Sequence, residues 1–136
     1  MTFDKFTIKA QEAVQEAVNT AQRSGQQSIE PVHLLKGLMN KAKDVTNFLF
    51  QKLGVNAMQV ETVVDREISR LPRVQGGQPY LSNESNSVLQ KAVDISQKMG
   101  DEFVSVEPVM LALLDVNSTA SRIMKDAGCT EKEMRA

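Results

Sequence analysis

The chain repeats itself. Residues 6–25, FTIKAQEAVQEAVNTAQRSG, and residues 81–100, LSNESNSVLQKAVDISQKMG, match at an offset of 75 at Gln15/Gln90, Ala17/Ala92, Val18/Val93, Gln22/Gln97 and Gly25/Gly100. Val14/Leu89 and Arg23/Lys98 are conservative pairs, and the same offset sets Ile29 against Val104, Leu35 against Met110, Leu38 against Leu113 and Met39 against Leu114. A duplication constrains architecture more than composition does, because both copies must bury the same apolar face and the nearest partner for each is the other. A rival offset aligns Glu30-Pro31-Val32 with Glu107-Pro108-Val109, but it places Leu38 opposite Asp115 and throws an apolar position out of phase.

The period inside each copy is helical. Ala10, Ala13, Val14, Ala17 and Ala21 fall on one face, with Thr7 as an N-cap and Gly25 as a left-handed stop. Ser82 and Gly100 bracket the second copy in the same way. Leu34, Leu35, Leu38 and Met39 form a second helical face behind Pro31, which suits a first turn. A third helix is predicted over Val45–Leu53, ending at Gly54, and a fourth over Ala57–Leu71, ending at Pro72. In the second copy the third helix ends at Gly128, and Thr130 caps a fourth that the chain end cuts short. The expectation is one all-α domain over 1–136, with about eight helices as two pseudo-symmetric four-helix repeats sharing one core. Repeat one covers about 1–71, a Pro/Gly-rich loop covers 72–79 and repeat two covers about 80–136. The first helices of the halves are expected to be related by an approximate two-fold.

Composition narrows function. Sixteen basic against 17 acidic residues give a net charge of −1, with no Lys/Arg run, so no nucleic-acid footprint is present. Apolar stretches such as Val109–Leu114 are too short to span a bilayer, and Met1–Lys5 lacks the apolar core of a secretory leader, so no membrane partner is expected. The single cysteine, Cys129, has no internal disulfide partner, which fits a reducing cytoplasm. Neither Cys129 nor the only histidine, His33, has the neighbours needed for a catalytic pair or a metal shell. Cys129 reads as structural, and His33 as a partly buried packing residue. No G-x-x-x-x-G-K-[ST] phosphate loop occurs, so the chain is not expected to be an enzyme, and no catalytic residue, metal ligand or cofactor is assigned to it.

The copies differ where function would show. Ile95 stands where the first copy has Thr20, and Met99 where it has Ser24. A position that accepts Thr or Ser reads as outside the deep core. Ile95 and Met99, one turn apart and near Pro108 and Val109, are therefore expected to line a partly exposed apolar groove suited to weak, unselective contacts. The competing reading is that this stripe packs one repeat against the other. Asp101 and Glu107 flank the second helix of repeat two, where carboxylates favour the helix dipole.

The FT…KAQEAV start, IEPVHLLKGLM, LGV…VVDREISRLPRV and GDEFVSVEPVMLALL together resemble the N-terminal domain of the Clp family of AAA+ unfoldases, over essentially the whole chain. The ISRLPRVQGG connector and GDEF point to the ClpB-type branch. The resemblance implies a duplicated all-α domain carried above a homohexameric ATPase ring in the cytoplasm, engaging unfolded or aggregated protein. ATP and magnesium would belong to ATPase modules absent here, and a DnaK-type chaperone system would cooperate with the full-length protein. It also implies that Thr7, Asp101 and Glu107 lie together and serve substrate handling. In repeat one Glu107 corresponds to Val32 and Asp101 to Gln26, so any acidic site is one-sided. The alternative implied by the ClpA and ClpC relatives is adaptor or degron docking; the ClpC-type pockets would need acids in both repeats.

Overall fold

A computed structural model describes residues 3–136; Met1 and Thr2, the start of the segment tested for a leader, lie outside it. Among the described residues there are eight helices: α1 (Ile8–Arg23), α2 (Pro31–Lys41), α3 (Lys43–Leu53), α4 (Ala57–Arg70), α5 (Asn83–Lys98), α6 (Val106–Asp115), α7 (Thr119–Ala127) and α8 (Glu131–Arg135). The expected all-α fold is what is found. Two strands of two residues each, β1 (Ser28–Ile29) and β2 (Tyr80–Leu81), are the addition. They are too short for a period-2 pattern to betray them. Among the described residues no helix is long and apolar enough to cross a membrane.

The caps follow the repeat. Thr7 Oγ1 accepts from Ala10 N–H at 3.2 Å and Ser82 Oγ from Ser85 N–H at 3.0 Å. Gly25 and Gly100 end the two helices at φ 69° and 79°. There a backbone N–H reaches back to close the last turn, Gln26 to Ala21 O at 2.8 Å and Asp101 to Ser96 O at 2.9 Å. The N-caps of α2 and α6, Glu30 and Ser105, keep the offset of 75, which disposes of the rival alignment because Glu107 lies inside its helix. The offset drops to 74 beyond α6. Gly54 then corresponds to Gly128 and Val55 to Cys129, whose amides close their helices onto Phe50 O at 2.8 Å and Met124 O at 2.9 Å. Cys129 is thus the second copy of a buried valine, and burial pushes its thiol up to about 11, which holds it protonated.

The halves exchange backbone bonds. β1 pairs in parallel with β2, Ser28 beside Tyr80 and Ile29 beside Leu81, with Ser82 N–H donating to Ile29 O at 3.1 Å. The counterpart is Phe6 beside Val104, with Thr7 N–H donating to Val104 O at 2.9 Å. Both bonds map onto each other at the offset of 75. The entering segment of each repeat is therefore held by the other repeat. Leu34, Leu35 and Leu38 of α2 and Met110, Leu113 and Leu114 of α6 fill one apolar cluster between them. Helix α2 lies closest to α1 because Gly37 faces Ala13 and Ala17; a methyl at Gly37 would overlap the Ala13 carbonyl oxygen.

His33 is wholly buried, not partly so. Its Nδ1 accepts from Glu30 N–H at 2.9 Å, so the neutral ring carries its proton on Nε2 and donates to Gln26 Oε1 at 2.7 Å. Gln26 Nε2 donates in turn to Ile68 O at 2.6 Å, near the end of α4. Burial lowers the His33 pKa to about 4, opposed by the charge of Glu30. The folded pKa lies below the unfolded value, so the contribution is complete above about pH 6.5 and is lost as pH falls toward about 4, in all about 3 kcal/mol. Urea unfolding is expected to show a loss of about 2 kcal/mol between about pH 7 and pH 5 that His33→Asn abolishes; equal pH dependence in both proteins would refute the assignment. Ser96 Oγ is buried without a hydrogen-bond partner, and its counterpart is Ala21. Ser96→Ala is therefore expected to stabilise the fold by about 1 kcal/mol, read as a higher urea midpoint; a lower midpoint would mean the hydroxyl is satisfied in solution.

Candidate functional site

The residues singled out from the sequence divide. Ile95 is 4% exposed and Val109 2%, and Pro108 is buried as well, so none of the three lines an open groove. The inference failed at Thr20, which is itself only 8% exposed. Its hydroxyl accepts a hydrogen bond from Arg23 Nη2 at 3.1 Å, so a threonine is satisfied at a buried position and says nothing about exposure there. Met99 is 51% exposed, as expected. It ends α5 just before Gly100 turns the chain toward α6.

Met99 stands at the mouth of a cavity of about 120 Å3 lined by Leu49 of α3, Glu107 and Leu111 of α6, and Met134 and Arg135 of α8. Leu49, Leu111 and Met134 are buried and make an apolar floor. Glu107 is exposed in the first turn of α6 and enters no ion pair among the described residues, while Arg135 Nε donates to Glu131 Oε1 at 3.0 Å. The corresponding corner of repeat one carries different side chains. Lys36 stands in the place of Leu111 and bridges Glu61 at 3.3 Å and Asp65 at 2.8 Å on α4. Ser24 stands in the place of Met99, and Val32, 2% exposed, in the place of Glu107. Repeat one places an ion-paired lysine here, and repeat two leaves a small recess with an apolar floor and a methionine and a carboxylate at its edge. The sequence signal for this difference is Lys36 against Leu111 at the offset of 75.

Thr7 caps α1, and its amide bonds Val104, which lies between Asp101 and Glu107 in the chain. That bond ties Thr7 to the 101–107 segment. Asp101 is exposed, whereas its counterpart Gln26 is buried against α4. Groups of three or more His, Cys, Asp or Glu side chains able to hold a metal ion are absent among the described residues.

The geometry is that of a duplicated helical domain whose halves share a core and differ in side chains at matching surface corners. Residues 5–127 match the family described as the Clp repeat (R) N-terminal domain, and the chain belongs to that family. It is 64% identical over 135 residues, 99% of its length, to Chaperone protein ClpB of Bacteroides thetaiotaomicron, and 48% identical over 136 residues, 100% of its length, to that of Porphyromonas gingivalis. It spans 16% of either relative. The crystal structure of the Hsp104 N-terminal domain from Candida albicans has the same fold, with a TM-score of 0.82 at 23% identity, covering 97% of this chain and 87% of that one.

Ile95 and Met99 are expected to behave oppositely when changed singly. Ile95→Ser should cost about 3 kcal/mol or more by leaving a cavity and a buried hydroxyl, and Met99→Ser under about 1 kcal/mol. Thermal or urea unfolding reads both, and equal losses would contradict the burial assigned to each.

Proposed function

We propose that this chain is the client-engaging domain of an ATP-dependent protein disaggregase. In this reading it takes up apolar segments of unfolded or aggregated polypeptide at the Met99 recess and passes them to a homohexameric ATPase ring. The observation that carries the reading is half-exposed Met99 at a recess over Leu49, Leu111 and Met134, in a chain so similar to ClpB chaperones. A thioether is flexible and polarizable, so it adapts to side chains of varied shape. A recess of about 120 Å3 accommodates little more than one side chain, and affinity should be about micromolar or weaker. Weak capture suits a domain that must release its client onward. Glu107, solvated at the rim, discriminates against acidic segments rather than adding affinity. Thr7 and Asp101 belong to the same working surface through the Val104 pairing. ATP and magnesium would act in the ring, since this chain has no phosphate loop. Cytoplasmic residence and cooperation with a DnaK-type system belong to the same proposal.

Unfolded casein titrated into the isotope-labelled chain should shift the amides of Met99, Glu107 and Leu111, and Met99→Ser should abolish those shifts without unfolding the protein. In the full-length hexamer, Glu107→Ala should slow disaggregation while the fold of the domain is kept, a surface dipole interaction being worth under about 1 kcal/mol. Casein shifts that survive Met99→Ser, or unchanged disaggregation by the Glu107 variant, would overturn the proposal.

A further inference from the structure

The repeats are joined by one connector, and that connector holds an exposed cation. Residues 72–79 lie outside every helix and strand, and 72–78 are exposed. Gly76 and Gly77 take φ of 75° and 84°, so the chain turns there without support from the core. Two hydrogen bonds hold the segment to repeat one: Val74 N–H donates to Gly25 O at 2.9 Å, and Gln27 Nε2 to Gln78 O at 3.0 Å. Of the 16 Lys and Arg residues, only Lys5 and Arg73 lie outside the helices. The bond after Lys5 is shielded, because Lys5 O accepts from Val104 N–H at 2.7 Å and Phe6 is buried. Arg73 and Val74 are both exposed, and Arg73 enters none of the ion pairs among the described residues. A helical bond must unwind before a protease can read it, whereas a loop bond needs only local opening.

A cut in the connector leaves the bonds between the halves in place. Ile29 stays paired with Leu81, and Ser82 N–H and Ser85 Oγ both donate to Ile29 O, at 3.1 and 2.6 Å. Thr7 N–H still donates to Val104 O, and the leucines of α2 remain in one apolar cluster with Met110, Leu113 and Leu114 of α6. Each of these ties joins a residue before Arg73 to one after it. The connector therefore serves to keep the halves at high effective concentration, not to hold them in register. Separated, each half would expose its share of the core and the backbone groups that the other satisfies.

We propose that the Arg73–Val74 bond is a site of limited proteolysis for an endoprotease selective for cationic side chains, and that the cut domain persists as a two-chain unit held by the exchanged pairings. Water adds across the bond: the C–N bond breaks, Arg73 ends as a carboxylate and Val74 begins as an ammonium. The proposal is independent of the Met99 reading. The test is brief trypsin treatment of the 136-residue chain under native conditions, followed by intact-mass measurement and gel filtration. The first products should be residues 1–73 and 74–136, eluting together at the size of the uncut chain with its helical circular dichroism kept. The thermal midpoint of the cut form should rise with protein concentration, as for any two-chain assembly, and that of the uncut chain should not. Arg73→Gln should slow the loss of intact chain at least about tenfold, while Arg73→Lys should leave the rate and the site of cutting unchanged. First cuts at Lys5 or within a helix, fragments that separate or unfold on cutting, or an Arg73→Gln chain cut as fast as the unaltered one would rule it out.

Discussion

The two exchanged backbone pairings, Ile29 with Leu81 and Val104 with Phe6, are what the rest of the structure leans on. Each repeat begins by surrendering its entering segment to the other, so neither half completes its own backbone bonding alone. That anchors the starts of α1 and α5 and leaves α2 and α6 sharing one core. A helix such as α8, with five residues, would not persist on its own and is held by Met134 against a surface already built.

Near-equivalence of the halves gives their differences meaning. At the corner between the second and fourth helices, Lys36 with Glu61 and Asp65 makes a closed, charged contact. In repeat two Met99 and Glu107 stand over buried Leu111 instead. At the turn after the first helix, Gln26 is drawn inward to α4 while Asp101 remains in solvent. Both differences place the unpartnered apolar and acidic groups on repeat two. Repeat one contributes the buried polar chain from Glu30 through His33 and Gln26 to Ile68, which ties its second helix to its fourth.

Helix number, caps and the pairing of the copies followed from periodicity, because apolar spacing, Thr7 and Ser82 as caps, and left-handed glycines are local requirements written one residue at a time. Met99 was found by the same comparison of copies and stands where expected. Ile95, Pro108 and Val109 were misplaced because substitution between copies was read as exposure. Arg23 satisfying a buried threonine is a contact between two turns that no tolerance argument anticipates. His33 was read as packing, but its role is to bond two elements whose meeting depends on how α2 and α4 cross.

By itself the sequence determined the all-α class, the duplication and its offset, and the kinship with Clp N-terminal domains, since these rest on patterns repeated along the chain. The tertiary structure alone decided which apolar positions reach solvent, the one-residue drop in offset past α6, the strand exchange, and the recess formed by side chains from several helices. Burial and proximity are properties of how helices cross, and residues as far apart as Leu49 and Met134 share a surface only after the halves have packed.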